Sequence, residues 1–199
     1  MAGTGKYEIL RGIIKGFKKV VVAFSGGVDS TLLLKVCSDA LGPENVLAFL
    51  GSSSIHPERE TREAVNLARQ IGLQWLLVET KEMADPGFRA NRRDRCYICK
   101  ASLLDQMWEV AKREGLSYAV EGSNLDDDDD FRPGSRAVAE KGVLSPLRMA
   151  GLTKDDVREL SRMLHLPPPD KPAFACLASR IPWGSVITAE KLARIEQAE

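Results

Sequence analysis

Six residues, Ser25-Gly26-Gly27-Val28-Asp29-Ser30, constrain this chain more than any other stretch. Val20-Val21-Val22-Ala23-Phe24 runs before them and Thr31-Leu32-Leu33-Leu34-Lys35-Val36 after them. A β-branched apolar run, two glycines and a leucine-rich run read as strand, tight turn and helix. Adjacent glycines let backbone N–H groups approach a phosphate with no Cβ in the way. The helix behind them adds unpaired N–H groups and the positive end of its dipole. Ser25 and Ser30 offer hydroxyls to the same anion. Asp29 carries the wrong charge for an anion cradle, so it points to a metal ion or a fixed backbone contact.

The rest of the chain repeats the same alternation. Ile9, Leu10, Ile13, Ile14 and Phe17 recur at helical spacing ahead of the first strand. Apolar runs at 46–50, 75–78 and 118–120 read as three more strands. Helices are expected from Pro57 to about Ile71, from about Lys100 to Arg113, from Thr153 to Leu164, and from the Thr188 cap onward. Leu33, Cys37 and Leu41 share one helix face, which makes Cys37 a core residue. Strands alternating with helices imply an α/β fold, a parallel sheet with right-handed crossovers. Ligands of such sheets bind at the carboxyl ends of the strands. Ser25–Ser30, Gly51–Ser54 and Gly122–Asn124 are therefore expected on one rim, with Ser53 and Gly122 beside the nucleotide. His56 follows the second strand and borders the same region.

At 199 residues the chain reads as one large domain or one domain with an appendage. We expect a main domain over 1–150 and the start of a C-terminal region over 151–199. Lys plus Arg and Asp plus Glu number 28 each, so no global field draws the chain to nucleic acid or a membrane surface. With no signal peptide and no apolar run of spanning length, the expectation is a cytoplasmic protein with no membrane partner. In that compartment its four cysteines read as thiols or metal ligands, not disulfides. The aspartate run 126–130 reads as a solvated loop or as help for a cation near the nucleotide.

Cys96-Tyr97-Ile98-Cys99 is a C-x-x-C pair, a spacing used for zinc, iron–sulfur clusters and thiol redox chemistry. Arg89, Arg92, Arg93, Arg95 and Lys100 surround it. Cations favour thiolate and also make an anion site. Cys176 lies in Ala175-Cys176-Leu177-Ala178-Ser179-Arg180, after a triple proline.

The glycine loop lacks the lysine of a P-loop and is not a dinucleotide fingerprint. It resembles the PP-loop, S-G-G-x-D-S, of the ATP pyrophosphatases, whose fold is adenine nucleotide alpha hydrolase-like. That resemblance implies a grip on the pyrophosphate of ATP and attack on the α-phosphorus, with Mg²⁺, and roles for Ser25, Gly26, Gly27, Asp29 and Ser30.

Over almost the whole length the chain resembles the LarE family, ATP-dependent sulfur transferases of nickel-pincer cofactor biosynthesis. The residues that carry this are Ala23–Leu33, Asn91–Lys100, Glu121–Asn124 with Phe131–Gly134, Ser145–Leu147, Asp170–Pro172, Cys176–Pro182 and Ile187–Leu192. The resemblance implies adenylation of a carboxylate on a pyridinium-dicarboxylate mononucleotide, then displacement of AMP by sulfur to give a thiocarboxylate. One branch of the family sacrifices the sulfur of a cysteine at the Cys176 position. Another holds a 4Fe–4S cluster on three cysteines matching Cys96, Cys99 and Cys176, with a labile sulfide on the open iron. This chain carries all three and matches the second branch. Cys176, Asp29 and Ser30 are then the catalytic candidates, and Arg92, Arg93, Arg95 and Arg180 the substrate-binding ones. A sulfide donor is an expected partner. Family members run on past this point, so either a truncation at Glu199 or a shortened variant is expected, with a homo-oligomer if the C-terminal region is present.

Three other readings compete. A tRNA thiolase calls for a basic surface or further C-x-x-C pairs. An amidotransferase-type synthetase does not need the three cysteines. A zinc-stabilised nucleotide-binding module without catalysis would hold near-stoichiometric zinc.

Overall fold

The computed structural model describes residues 2–128, 133–167 and 175–199. Asp129, Asp130, Phe131, Arg132, Pro168, Pro169 and the Asp170-Lys171-Pro172 triplet lie outside the described residues.

Among the described residues, four parallel strands form one sheet in the order β3-β2-β1-β4. They are β1 (Val20–Ala23), β2 (Val46–Ser52), β3 (Gln74–Glu79) and β4 (Tyr118–Val120). Register is fixed by Val20 opposite both Val46 and Tyr118. Val120 also bridges Leu144 in parallel beyond β4. The helices are α1 (Ala2–Lys15), α2 (Val28–Leu41), α3 (Glu58–Ile71), α4 (Pro86–Arg89), α5 (Arg95–Arg113), α6 (Pro133–Glu140), α7 (Pro146–Met149), α8 (Lys154–Met163) and α9 (Ala189–Ala198).

Side chains of a strand alternate between faces, and the core divides accordingly. Val20, Val22, Ala48 and Leu50 pack on one face with Leu10, Leu33, Val157 and Leu160 from α1, α2 and α8. Val21 and Phe49 pack on the other with Leu104, Met107, Ala137 and Val138 from α5 and α6. Cys37 is fully buried in the first of these clusters, as its helix face predicts. β1 is covered on both sides, which is why its run is continuously apolar. A third, smaller cluster gathers Ile55, Phe88, Leu177, Ala178, Ile181, Ile187 and Leu192 away from the sheet.

Chain order reverses at β1: β2 and β3 lie on one side of it and β4 on the other. Such a switch point opens a crevice at the carboxyl ends of the central strands.

The predicted caps are present. Thr153 and Asp156 form a capping box on α8, and the Thr188 side chain accepts from Lys191 N on α9. One boundary differs. The helix expected from about Lys100 starts at Arg95, so Cys96 and Cys99 stand in the opening turns of a 19-residue helix. Asp94, at its cap, makes no side-chain cap bond, and the charged run before Ile98 has no helical apolar period. The helix start is set by tertiary contacts instead.

Candidate active site

The glycine loop is built by its own hydroxyls. Ser30 Oγ donates to Gly27 O at 3.0 Å and lies 3.2 Å from Ser25 Oγ. Ser25 N donates to Ser30 Oγ and Gly27 N to Ser25 Oγ. Gly26 has φ +74°, and a Cβ there would stand 2.9 Å from Ala64 Cβ on α3. Glycine is therefore required both by the backbone and by the neighbouring helix. Gly27 caps α2 without a side-chain bond, so the first N–H groups of a 14-residue helix face the crevice.

The crevice is a cavity of about 300 Å³. Ser25, Gly27, Asp29 and Ser30 form its floor, and Glu121, Gly122 and Ser123 from the end of β4 its near wall. A Cβ on Gly122 would meet Ser30 N at 3.0 Å, so the two loops touch through backbone. Phe24, Phe49, Leu50, Ala64 and Leu103 supply apolar lining, and His56, Glu60 and Thr61 close the side toward α3. This mix of an anion floor and an apolar wall suits a nucleotide.

Asp29 is held from two sides. Asn124 Nδ2 donates to its Oδ1 at 3.0 Å, and the Lys154 ammonium donates to its Oδ2. This lysine comes from the first turn of α8 and does not itself line the cavity. A second lysine, Lys100 of α5, lines the cavity and lies 3.6 Å from Glu121 Oε2. Glu121 is 6 % exposed. Burial alone would raise its pKa, but Lys100 and hydrogen bonds from Ser145 and Ser123 outweigh burial and hold the carboxyl below its usual range. His56 also borders the cavity; burial lowers its pKa, against the opposing charge of Glu82. Ser53 does not line the cavity: its hydroxyl donates to Glu82. Of these residues, Asn124 is expected from sequence on the rim and Lys100 only beside the thiols, whereas Glu121 and Lys154 have no expected role in the site. Glu121-Gly122-Ser123-Asn124 at a strand's carboxyl end was the available signal for two of them.

Among the described residues no cysteine lines the cavity, but the segments that carry Cys99 and Cys176 pack together on the third apolar cluster. Leu177 N donates to Ile55 O at 2.8 Å, which pins the Cys176 segment to the loop after β2. Cys99 and Cys176 both pack on the third apolar cluster, and Cys96 is exposed beside them. Burial, with Glu82 and the other two thiols adding, pushes Cys99 up to about 12. Burial also raises Cys176, with the Ser179 N–H and the Arg95 charge opposing. Among the described residues no three His, Cys, Asp or Glu side chains gather closely enough to hold a metal ion. Lys100 follows Cys99 directly and lines the cavity, so one helix joins thiols and nucleotide pocket.

The four arginines differ in placement. Arg92 is exposed and 3.3 Å from Asp94; Arg93 is exposed. Arg180 is exposed and donates to Glu199 at 2.8 Å and to Ser179. Arg95 is 5 % exposed, bonded to Asn91 Oδ1, with its guanidinium 4.0 Å over the Trp183 ring.

A parallel sheet with its S-G-G-x-D-S loop at the switch point defines an ATP-using enzyme of the PP-loop class. A family model described as NAD synthase matches residues 9–99. A solved NH3-dependent NAD synthetase of Campylobacter jejuni, in complex with nitrate, shares the fold at a TM-score of 0.63 and 19 % identity, over 84 % of this chain and 75 % of that one. An uncharacterized protein of Synechocystis sp. is 44 % identical over 98 % of this chain and 72 % of its own length. The pyridinium-3,5-bisthiocarboxylic acid mononucleotide synthase of Lactiplantibacillus plantarum is 33 % identical over 98 % of this chain and 70 % of its own length. The chain belongs to the LarE family of ATP-dependent sulfurtransferases. No helix among the described residues is long and apolar enough to cross a membrane.

Proposed function

We propose that this protein adenylates a carboxylate of a pyridinium-dicarboxylate mononucleotide and replaces the AMP with sulfur. The observation that carries the reading is the shared helix α5. The Cys176 segment bonds to the loop after β2, and the helix bearing Cys96 and Cys99 also lines the nucleotide cavity through Lys100 and Leu103.

In the first step a substrate carboxylate oxygen attacks the α-phosphorus of ATP, and pyrophosphate leaves. The α2 N-terminus, Ser25 and Ser30 receive pyrophosphate charge, and Asp29 is the candidate for Mg²⁺. Lys100 adds cationic charge to the cavity lining, and Lys154 pairs with Asp29. The product is a mixed anhydride that water would hydrolyse. Sulfur delivery from the adjoining thiol segments shortens its exposure. In the second step sulfur attacks the acyl carbon and AMP leaves. The exposed Arg92, Arg93 and Arg180 are the candidates to receive substrate phosphate or carboxylate.

Cys96, Cys99 and Cys176 offer sulfur only, from two segments packed on one apolar cluster, a donor set that suits an iron–sulfur group better than a hard cation. A 4Fe–4S cluster on these three residues would leave one iron without a protein ligand, and would supply a labile sulfide to the adenylate. One observation favours a second source: the described residues hold no preformed three-donor group. Cys176 would then give its own sulfur. Its thiolate attacks the acyl carbon, the Cβ–S bond breaks with loss of the Cα proton, and dehydroalanine remains.

Anaerobically purified protein with ATP, Mg²⁺ and the pyridinium dicarboxylate tests the reading. AMP, pyrophosphate and a thiocarboxylate in step support it, whereas ADP and phosphate would refute it. Iron and sulfide assays, with an intact-protein mass after turnover, separate the two sulfur sources. Loss of the mass of one hydrogen sulfide from Cys176 marks the second.

A further inference from the structure

Asn91 occupies an unfavourable backbone position and is fully buried. Its φ is +53°, a region that non-glycine residues adopt at a cost. Its amide donates to Ile181 O at 3.2 Å and to Pro182 O at 2.8 Å. Its backbone carbonyl accepts from Gly184 N at 3.1 Å, and the carbonyl of Arg89 accepts from Ile187 N at 2.9 Å. Its remaining side-chain atom, Oδ1, accepts from Arg95 Nη1. Arg95 in turn is buried and stacked on Trp183. A buried guanidinium is costly unless its surroundings compensate, and here the compensation comes from one asparagine and one ring. All of these contacts except the Asn91–Arg95 bond join the same two segments, 89–95 and 181–187.

Each of those segments adjoins a thiol. Arg95 immediately precedes Cys96 and opens the helix that carries Cys99. The 181–187 segment follows Cys176 through one short 3-10 helix, Leu177–Arg180. Fixing one segment against the other fixes the thiols. We infer that Asn91, Arg95 and Trp183 form a clamp that sets where Cys176 stands relative to Cys96 and Cys99. Arg95 is in this view a positioning residue: its Nη1 donates to Asn91 and its guanidinium face lies on Trp183, while its buried Nε has no hydrogen-bond partner among the described residues. The inference takes its meaning from the sulfur-site reading above but does not need sulfur transfer to be tested.

Dibromobimane alkylates two neighbouring thiols with loss of two bromides, and peptide mass spectrometry reports which pair is joined. Reduced, metal-free full chain carrying Cys37→Ala is treated with it. The Cys96–Cys99 link lies within one helix and serves as the internal standard. The readout is the ratio of links from Cys176 to either partner over that local link. Asn91→Gly accepts the positive φ and removes only the amide, so it tests the clamp without backbone strain. The ratio is expected to fall at least about five-fold in Asn91→Gly and in Trp183→Leu. Trp183→Phe keeps a ring face for Arg95 and should hold the ratio within about two-fold of the parent. ATP binding by Asn91→Gly, measured by titration calorimetry, should also stay within about two-fold, because the PP-loop pocket is built by other segments. An unchanged ratio in Asn91→Gly overturns the clamp, as does an equal fall in Trp183→Phe and Trp183→Leu. The cross-link ratio does not depend on catalysis. It can fail while sulfur transfer stands, and it can fall as expected in a chain that transfers no sulfur.

Discussion

The nucleotide pocket and the thiol-bearing segments share α5 yet are held by different forces. The pocket floor is six consecutive residues wired through short-range bonds between Ser25, Gly27 and Ser30. Its charges are compensated across the crevice, Lys154 on Asp29 and Lys100 beside Glu121. The thiol site has no local framework of that kind. Cys96 and Cys99 sit on α5, Cys176 on a distant segment, and what joins them is a small apolar cluster and the Asn91–Arg95–Trp183 contacts. A damaged loop residue should therefore disable the pocket with little effect on the fold. The thiol site should fail when its support shifts, even with all three cysteines intact.

The sharpest way to break this comparison is to remove one thiol. Cys176→Ala should lose sulfur incorporation altogether while still cleaving ATP to AMP and pyrophosphate. Product mass and a pyrophosphate assay check both halves. If ATP cleavage disappears as well, the two regions are one functional unit.

Asp29→Ala strikes the pocket. Loss of a group that organises charge at the reacting phosphates should lower AMP formation by about 10²-fold or more. Thermal stability should change little, since Asp29 lies at the crevice and not in the core. Quenched-flow AMP measurement and a melting curve check it.

Gly26→Ala separates strain from chemistry. A Cβ at φ +74° pressing on Ala64 should cost roughly 2 kcal/mol, from the left-handed penalty plus the clash. In a chain of this size that lowers Tm by about 4–8 °C. Calorimetry reads the shift, and no shift would mean that α3 gives way.

The smallest effect concerns acid. Glu121 has a folded pKa held below its ordinary value. It therefore contributes stability that is present above the ordinary carboxylate range and lost as pH falls through the folded value. Glu121→Gln should flatten the acid limb of the stability curve, and Lys100→Met should shift that limb to higher pH. Urea titrations across acidic pH measure both. A wild-type and Glu121→Gln pair with the same acid slope removes Glu121 from the account.

The chain's own order was enough for much of this. The strand-length apolar runs of β1 and β2, the caps at Thr153 and Thr188, and the contiguous Ser25–Ser30 loop are local features, and local features are written in consecutive residues. The convergence of three strand ends on one rim followed from the βαβ alternation and its single allowed handedness. Other parts depend on partners far along the chain. Arg95 reads as a substrate-binding candidate in a basic stretch, and only folding stacks it on Trp183. Lys154 reads as a first-turn residue of a surface helix, and only the packing of α8 on α2 delivers its ammonium to Asp29. Asn91 carries no sign of its left-handed backbone until the Ile181 and Pro182 carbonyls are in place. Short-range geometry and side-chain period are fixed by neighbours in sequence. The pairing of buried charges is fixed by which surfaces the fold brings together.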